Sequence, residues 1–376
     1  MLHPPFFCLL PRLRHDLSGG QTALDQTLRE GLHHPGRTGQ VIGQGERFGD
    51  GPENSFRLDL PWQAVRAVRI LFGEIAHMQA RAALRGGLHL RMVDQLAGHF
   101  GEPFADTSAV PTNYISKVAR EHVTVVLTGD GGDELLAGYN RYAETLRDRQ
   151  WALPAPVRIP MTFASEHMSP GMRGRGYLMR WGSNACDRYL FNLTVFDPAY
   201  RHALRGRDDD KHPYLITRRT MKNPDLLTGL QLTDIALYLP DDINVKVDRM
   251  SMACSLEARA PFLDHKLAEF IGRLPRSYFH NKHQGKLILR QAMANILPPT
   301  ILTRPKMGFG LPLADWMRNL HQSPARVFLE DANIPLYRLV DRKVVQTFLK
   351  EHENGRRDWS TQLWALMMLA LWMQIE

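Results

Sequence analysis

Lysine and tyrosine are both missing from residues 1–112; the first of each are Lys117 and Tyr114. Arg, His, Gly and Gln crowd that stretch instead, as in LREGLHHPGRTGQVIGQGERFGDGPENS (28–55). Without a periodic apolar face a segment has no stripe to bury, so residues 30–56 read as loop or disordered chain. DLPWQAVRAVRILFGEIAHMQARAAL (59–84) is the first stretch whose pattern suits a helix. Cysteine is scarce as well. The three present, Cys8, Cys186 and Cys254, lie far apart with no Cys-x-x-Cys, which argues against a disulfide framework or zinc ribbon and fits a reducing cytoplasm.

Long apolar runs are lacking too. The most apolar segment, TQLWALMMLALWMQIE (361–376), is shorter than the roughly 20 residues a bilayer span needs. Gln362 and Gln374 interrupt it, so a buried C-terminal helix is expected and a membrane partner is not. The opening MLHPPFFCLLPRLRHD has no basic n-region, and its prolines break the apolar run, so it makes a poor signal peptide. No Lys/Arg run concentrates the net charge of +8, which reads as solvated faces rather than a nucleic-acid surface. His33 and His34 lack a partner at metal-ligand spacing and read as solvated.

The 376 residues, 44% apolar and 23% charged, are ample for a core in two domains or one large one. From about residue 93 the chain is well patterned. MVDQLAGHF (92–100) and TNYISKVAREH (112–122) read as helices. VTVVL (123–127) is a continuous β-branched run of the kind found in parallel strands covered on both faces. ELLAGYNRYAETLRDR (134–149) then places Leu135, Leu136, Tyr139, Tyr142 and Leu146 on one helical face. Helix, strand and helix in that order is α/β logic. Beyond residue 150 helical patterns dominate, with no further strong strand.

Between strand and helix lies TGDGGDE (128–134), three acids and three glycines in seven positions. A hairpin turning at Gly131–Gly132 is the simple alternative, but the helical period after Glu134 argues against it. At the carboxyl end of a parallel strand, open α/β sheets bind ligands. Glycines allow close approach to the backbone, and a helix N-terminus offers free N–H groups. Asp130 and Asp133 then suit Mg²⁺ carried with phosphates. Capping of the helix by Asp133 and Glu134 explains two of the acids without a ligand.

Three further segments make the pattern specific: GEPFADTSAVPTNYIS (101–116), YLPDDINVKVDRMSMACSLEARAPFLDHKLAEF (238–270) and GKLILRQAMANILPPTILTRPKMGFGLPLADWM (285–317). With TGDGGDELLAGYNRY, and WALMMLALW near the end, they resemble the C-terminal synthetase domain of the glutamine-hydrolysing asparagine synthetases. The resemblance runs from residue 93 to 376 and leaves 1–92 as an atypical, degenerate or disordered part. It implies an α/β fold of the ATP pyrophosphatase (adenine nucleotide α-hydrolase) type: a parallel sheet flanked by helices, then a mostly helical part. The implied chemistry is amidation of aspartate by ammonia, using ATP and Mg²⁺, through β-aspartyl-AMP with release of pyrophosphate.

By motif, the resemblance places Thr128 and Gly129 on ATP, and Asp130 and Asp133 at the acidic positions. Lys306 in RPKMGFG matches a lysine that neutralises phosphate charge. Arg249 reads as a second cation or as the partner of Asp248. Glu257 and Arg259 read as a charge pair in a buried wall, with substrate contact as the alternative. Asp106 reads as lying near the nucleotide or as capping a helix.

Two departures bear on activity. No cysteine follows the initiator Met, where Leu2 stands, so the glutaminase domain lacks a counterpart. Ammonia then comes from solution or from a separate glutaminase subunit. The pyrophosphate loop, Ser-Gly-Gly-x-Asp-Ser in the family, corresponds to Ser18-Gly19-Gly20-Gln21-Thr22-Ala23, with Thr22 and Ala23 replacing Asp and Ser. No Gly-x4-Gly-Lys-[Ser/Thr] substitutes for it. The composition of the first 92 residues is what a GC-rich gene read out of frame, or a decayed gene, tends to give. A non-catalytic remnant therefore stands beside the enzyme, as does an ATP pyrophosphatase with another acceptor.

Overall fold

The structure is a computed structural model, described over residues 88–149, 153–168, 172–206, 212–281, 284–303, 312–319 and 323–375. Ser18, Gly19, Gly20 and Lys306 lie outside the described residues. The chain enters through α1 (Leu88–Phe100), turns at Gly101 with φ +70°, and forms α2 (Ala109–Arg120). Both expected helices are present and begin three or four residues earlier than their patterns suggested. Strand β1 (Val125–Leu127) follows, then α3 (Gly132–Leu135) and α4 (Asn140–Arg149).

Helices dominate from there: α5 (Ala155–His167), α6 (Arg175–Gly182), α7 (Ala185–Asn192), α8 (Pro198–Arg205), α9 (His212–Thr220) and α10 (Leu226–Thr233). A π-helical segment, Asp234–Asn244, leads into α11 (Val245–Met252) and strand β2 (Glu257–Arg259). After β2 come α12 (His265–Gly272), α13 (Leu287–Ala292), α14 (Pro299–Thr303), α15 (Leu313–Asn319), α16 (Pro324–Leu329), α17 (Arg342–Glu353) and α18 (Ser360–Ile375). Aspartates start several of these: the side chains of Asp197, Asp225, Asp264 and Asp341 accept the otherwise orphaned N–H groups of α8, α10, α12 and α17.

The two strands pair in parallel, Val125 opposite Glu257 and Leu127 opposite Arg259. This excludes the hairpin, since a strand returning directly from Gly131–Gly132 is antiparallel to β1. Two expectations are corrected. The run 123–127 yields a three-residue strand whose Leu127 is 67% exposed, not one covered on both faces, because among the described residues only β2 lies beside it. The missed strand β2 is short and ends in Glu257 and Arg259, so no apolar run announced it.

The helix expected over 134–149 is two helices. Ala137 takes φ +53°, and the Gly138 N–H donates to the Asp133 carbonyl at 2.8 Å, breaking the rod. The 285–286 backbone clamps the break, with the Lys286 N–H donating to the Leu136 carbonyl at 3.0 Å. A side chain at Gly285 would overlap the Ala137 carbonyl. The apolar face survives the break: Leu136 and Tyr142 are buried with Tyr189, Leu193, Leu227 and Leu230, against Leu135, Tyr139 and Leu146.

Helix α18 packs against α1, α15, α16 and α17 and is buried on every side from Leu363 to Trp372, as its unbroken apolar sequence demands. Each such Leu contributes about 1.5–3 kcal/mol. No helix among the described residues is long and apolar enough to cross a membrane.

Candidate functional site

The parallel ladder extends one residue past β1, where the Thr128 N–H donates to the Arg259 carbonyl at 2.7 Å. The chain then leaves the strand as Gly129-Asp130-Gly131. Gly131 has φ +83°, and a methyl there would strike Leu263, so the turn needs glycine at this point. Beside Gly129 the space is open among the described residues, none of which lies within 4 Å of where a Cβ would stand. Among the described residues the buried Thr128 Oγ1 has no hydrogen-bond partner. A hydroxyl left in that condition next to open backbone suits a ligand acceptor or donor.

The three acids of the turn separate. Asp133 meets the Lys286 ammonium at 3.2 Å. Glu134 is buried and accepts the Tyr139 hydroxyl; burial pushes its carboxyl up, against that hydrogen bond, and Asp133 and Asp234 add to the rise. Asp130 is half-buried and acts on Lys246 of α11.

Lys246 is the cation that sequence reading missed. Its Nζ meets Asp106 Oδ2 at 2.5 Å, and both side chains are about a tenth exposed. Asp106 also accepts the backbone N–H of Ser108 at 2.9 Å and its hydroxyl at 2.5 Å. Burial would raise the Asp106 carboxyl, but the Lys246 ammonium and these hydrogen bonds hold it below the ordinary value. Burial works against the charged Lys246, while Asp106, Asp242 and Asp130 draw its pKa upward. The neighbouring Asp242 is buried and goes the other way: burial first, then Asp106, push it well above the carboxylate range against the pull of Lys246. A signal existed in the sequence, since Asp242 and Lys246 stand four apart in PDDINVKVDR and share a helical face.

Arg249 lies three positions beyond Lys246 and is exposed, as is Asp248. Glu257 and Arg259 do pair, Arg259 Nε to Glu257 Oε1 at 2.7 Å, but at 53% and 64% exposure they form a surface pair and not a buried wall. Asp106 lies before α2, whose N-cap is Ser108, and its carboxylate serves Ser108 and Lys246.

A second buried network stiffens the floor behind the turn. Asp234, fully buried, receives Arg141 at 2.6 Å and the hydroxyls of Tyr142 at 2.5 Å and Tyr189 at 2.7 Å. The Arg141 guanidinium lies 3.7 Å from the Tyr139 ring centroid and 4.5 Å from that of Tyr238.

Thiol chemistry is disfavoured at both described cysteines. Burial pushes the Cys186 thiol up to about 12 and also raises Cys254. Among the described residues no group of three or more His, Cys, Asp or Glu side chains converges to hold a metal ion. The site therefore offers fixed charges, one open glycine backbone and one unpartnered hydroxyl, which suit binding and charge neutralisation.

Comparison with known proteins identifies the family. The family model described as asparagine synthase matches residues 76–374. A putative glutamine-hydrolysing asparagine synthetase of Mycobacterium tuberculosis (strain ATCC 25618 / H37Rv) is 34% identical over 319 residues, which cover 80% of this chain and 48% of that protein. Glutamine-hydrolysing asparagine synthetase 1 of Bacillus subtilis (strain 168) is 29% identical over 293 residues, 77% of this chain and 46% of that protein. The counterpart from Cricetulus griseus is 30% identical over 228 residues, 49% of this chain and 39% of that protein. The chain thus spans about half the length of the first two of these curated relatives. With a match that covers most of its length, the chain belongs to the asparagine synthase family.

Proposed function

We propose that the chain amidates aspartate at the expense of ATP. The aspartate side-chain carboxylate attacks the α-phosphorus of ATP, and the bond to pyrophosphate breaks. Ammonia then attacks the acyl carbon of β-aspartyl-AMP, and AMP leaves as asparagine forms. The observation that carries this reading is the end of β1: a parallel strand passing into Thr128–Gly131, with the Thr128 hydroxyl, among the described residues, unpartnered beside open space at Gly129. Thr128 and Gly129 hold ATP in this reading, and Lys246, fixed by Asp106, keeps positive charge beside Asp130.

Lys306 and the Ser18–Gly20 loop enter as phosphate-binding groups on the strength of the motif alone. Mg²⁺ fits less well. The Asp133 carboxylate already faces Lys286, and no metal-holding cluster exists among the described residues, so no step is assigned to the metal. Arg249 remains a candidate second cation; Glu257 and Arg259, as a surface pair, remain candidate substrate contacts. Ammonia arrives free or from a separate glutaminase.

Pyrophosphate release from ATP with Mg²⁺, measured with and without aspartate and ammonium, tests the reading. Release that depends on aspartate supports it, and Asp130→Ala or Lys306→Ala then abolishes it. The substitution of Thr22 and Ala23 into the Ser-Gly-Gly loop favours a second reading, a non-catalytic relative, which absence of any release would select.

A further inference from the structure

Helix α3 ends after four residues, and Ala137, at φ +53°, turns the chain out of the helix. The carbonyls of this turn therefore lack the N–H groups that a continuing helix supplies. Each carbonyl from Asp133 to Leu136 finds a donor elsewhere. That of Asp133 takes the Gly138 N–H at 2.8 Å, and that of Leu136 takes the Lys286 N–H at 3.0 Å. Those of Glu134 and Leu135 share one side chain: Gln231 Nε2 donates to them at 2.9 Å and 2.8 Å. Gln231 is buried on α10, far along the chain from the turn.

Asp234 stands three positions on from Gln231, at the head of the π-helical segment, and its carboxylate holds Arg141 and Tyr142 of α4. Residues three apart along a helix share a face. The same rod thus grips the chain on both sides of the break, α3 through Gln231 and α4 through Asp234. What Gln231 grips is the helix that begins directly after Thr128–Gly131 and carries Asp133. Its carboxamide supplies two N–H donors, and removing them leaves two buried carbonyls to be satisfied some other way. The Lys286–Asp133 pair, with side chains 27% and 25% exposed, is partly screened by water and holds α3 less firmly.

We propose that Gln231 is a positioning residue of the nucleotide turn, its carboxamide fixing α3 so that Thr128, Gly129 and Asp130 stand where ATP meets them. Gln231 acts through the turn and not on substrate. The inference deepens the amidation reading and rests on that reading's placement of ATP. Thr233 separates this role from a general loss of packing. It lies on the same helix and is fully buried, and its hydroxyl bonds the Gly229 carbonyl at 2.9 Å and the Thr220 hydroxyl at 2.6 Å, neither of them in the turn.

The experiment is calorimetric titration of the full chain, Gln231→Met and Thr233→Val with α,β-methylene-ATP and Mg²⁺, a nucleotide that cannot release pyrophosphate. Gln231→Met should weaken the nucleotide about tenfold or more, whereas Thr233→Val, which also loses buried hydrogen bonds, should stay within about twofold of wild type. Wild-type affinity in Gln231→Met overturns the proposal, as does equal weakening in both variants, or no binding to the wild-type chain. Should the Met variant not fold, Gln231→Glu serves in its place: protonated, it donates one hydrogen bond to the turn, and ionised it donates none. Its affinity relative to wild type should then recover as pH falls, and a constant ratio overturns the proposal. Aspartate-dependent pyrophosphate release is scored separately: a chain whose nucleotide affinity depends on Gln231 but that releases none upholds this inference and removes the amidation reading.

Discussion

Lys246 and Asp106 stand 140 positions apart in the chain, yet the ammonium of one meets the carboxylate of the other inside the protein. The pair ties α11 to the segment that leads into α2, two elements that also pack against each other. It also anchors a positive charge beside the acidic turn, so that one contact serves both the fold and the candidate site.

Removing one partner should therefore be costly. Lys246→Met leaves Asp106 and Asp242 buried without a cation, and breaking such a pair costs about 3–5 kcal/mol. Urea denaturation measures this; a loss under about 1 kcal/mol means that the pair is not formed in solution.

Asp234→Ala strips the shared acceptor from Arg141, Tyr142 and Tyr189, and a comparable loss of about 3–5 kcal/mol is expected. Tyr142→Phe removes one donor to a charged acceptor and should cost about 1.5–3 kcal/mol, leaving Asp234 its other two. Thermal melts of the two variants should rank in that order.

Stability should depend on pH through Asp242 and Asp106 in separate windows. The raised Asp242 carboxyl favours the folded state when protonated. Its contribution is complete below the unfolded value near 3.8 and is lost as pH climbs toward the folded value. Asp106 is lowered, so its contribution is present above 3.8 and is lost as pH falls toward its folded value. Asp242→Asn should thus gain stability relative to wild type as pH rises above 3.8, measured by urea melts across a pH series. A constant difference over that range rejects the assignment.

Gly131→Ala forces a side chain into a left-handed turn and against Leu263, which should destabilise by about 1–3 kcal/mol. Nucleotide protection of the turn against proteolysis should fall with it, whereas Gly272→Ala, with none of the described residues within 4 Å, should leave that protection intact.

The surface pair Glu257–Arg259 offers a contrast. Arg259→Ala should shift stability by less than about 1 kcal/mol, because water screens both charges. A large fall in aspartate-dependent pyrophosphate release at unchanged stability would mark Arg259 as a substrate contact.

Much of the site's frame was legible in the residues themselves. The β-branched run ahead of TGDGGDE announced a strand ending in a turn, and the glycine at 131 stands where positive φ requires it. The all-apolar face of residues 363–372 announced a buried helix. Other features left no such trace. β2 is three residues long with charged ends. The break at Ala137 comes from backbone contacts with residues 285 and 286, far along the chain.

Local pattern thus determined the strand, the turn and the helices, because propensity, periodicity and steric demands on glycine act over a few neighbouring residues. Only the tertiary structure decided which charges meet: Lys246 with Asp106, Lys286 with Asp133, and Asp234 with Arg141. Coulomb and hydrogen-bond energies depend on distance and burial in space, and sequence order fixes neither.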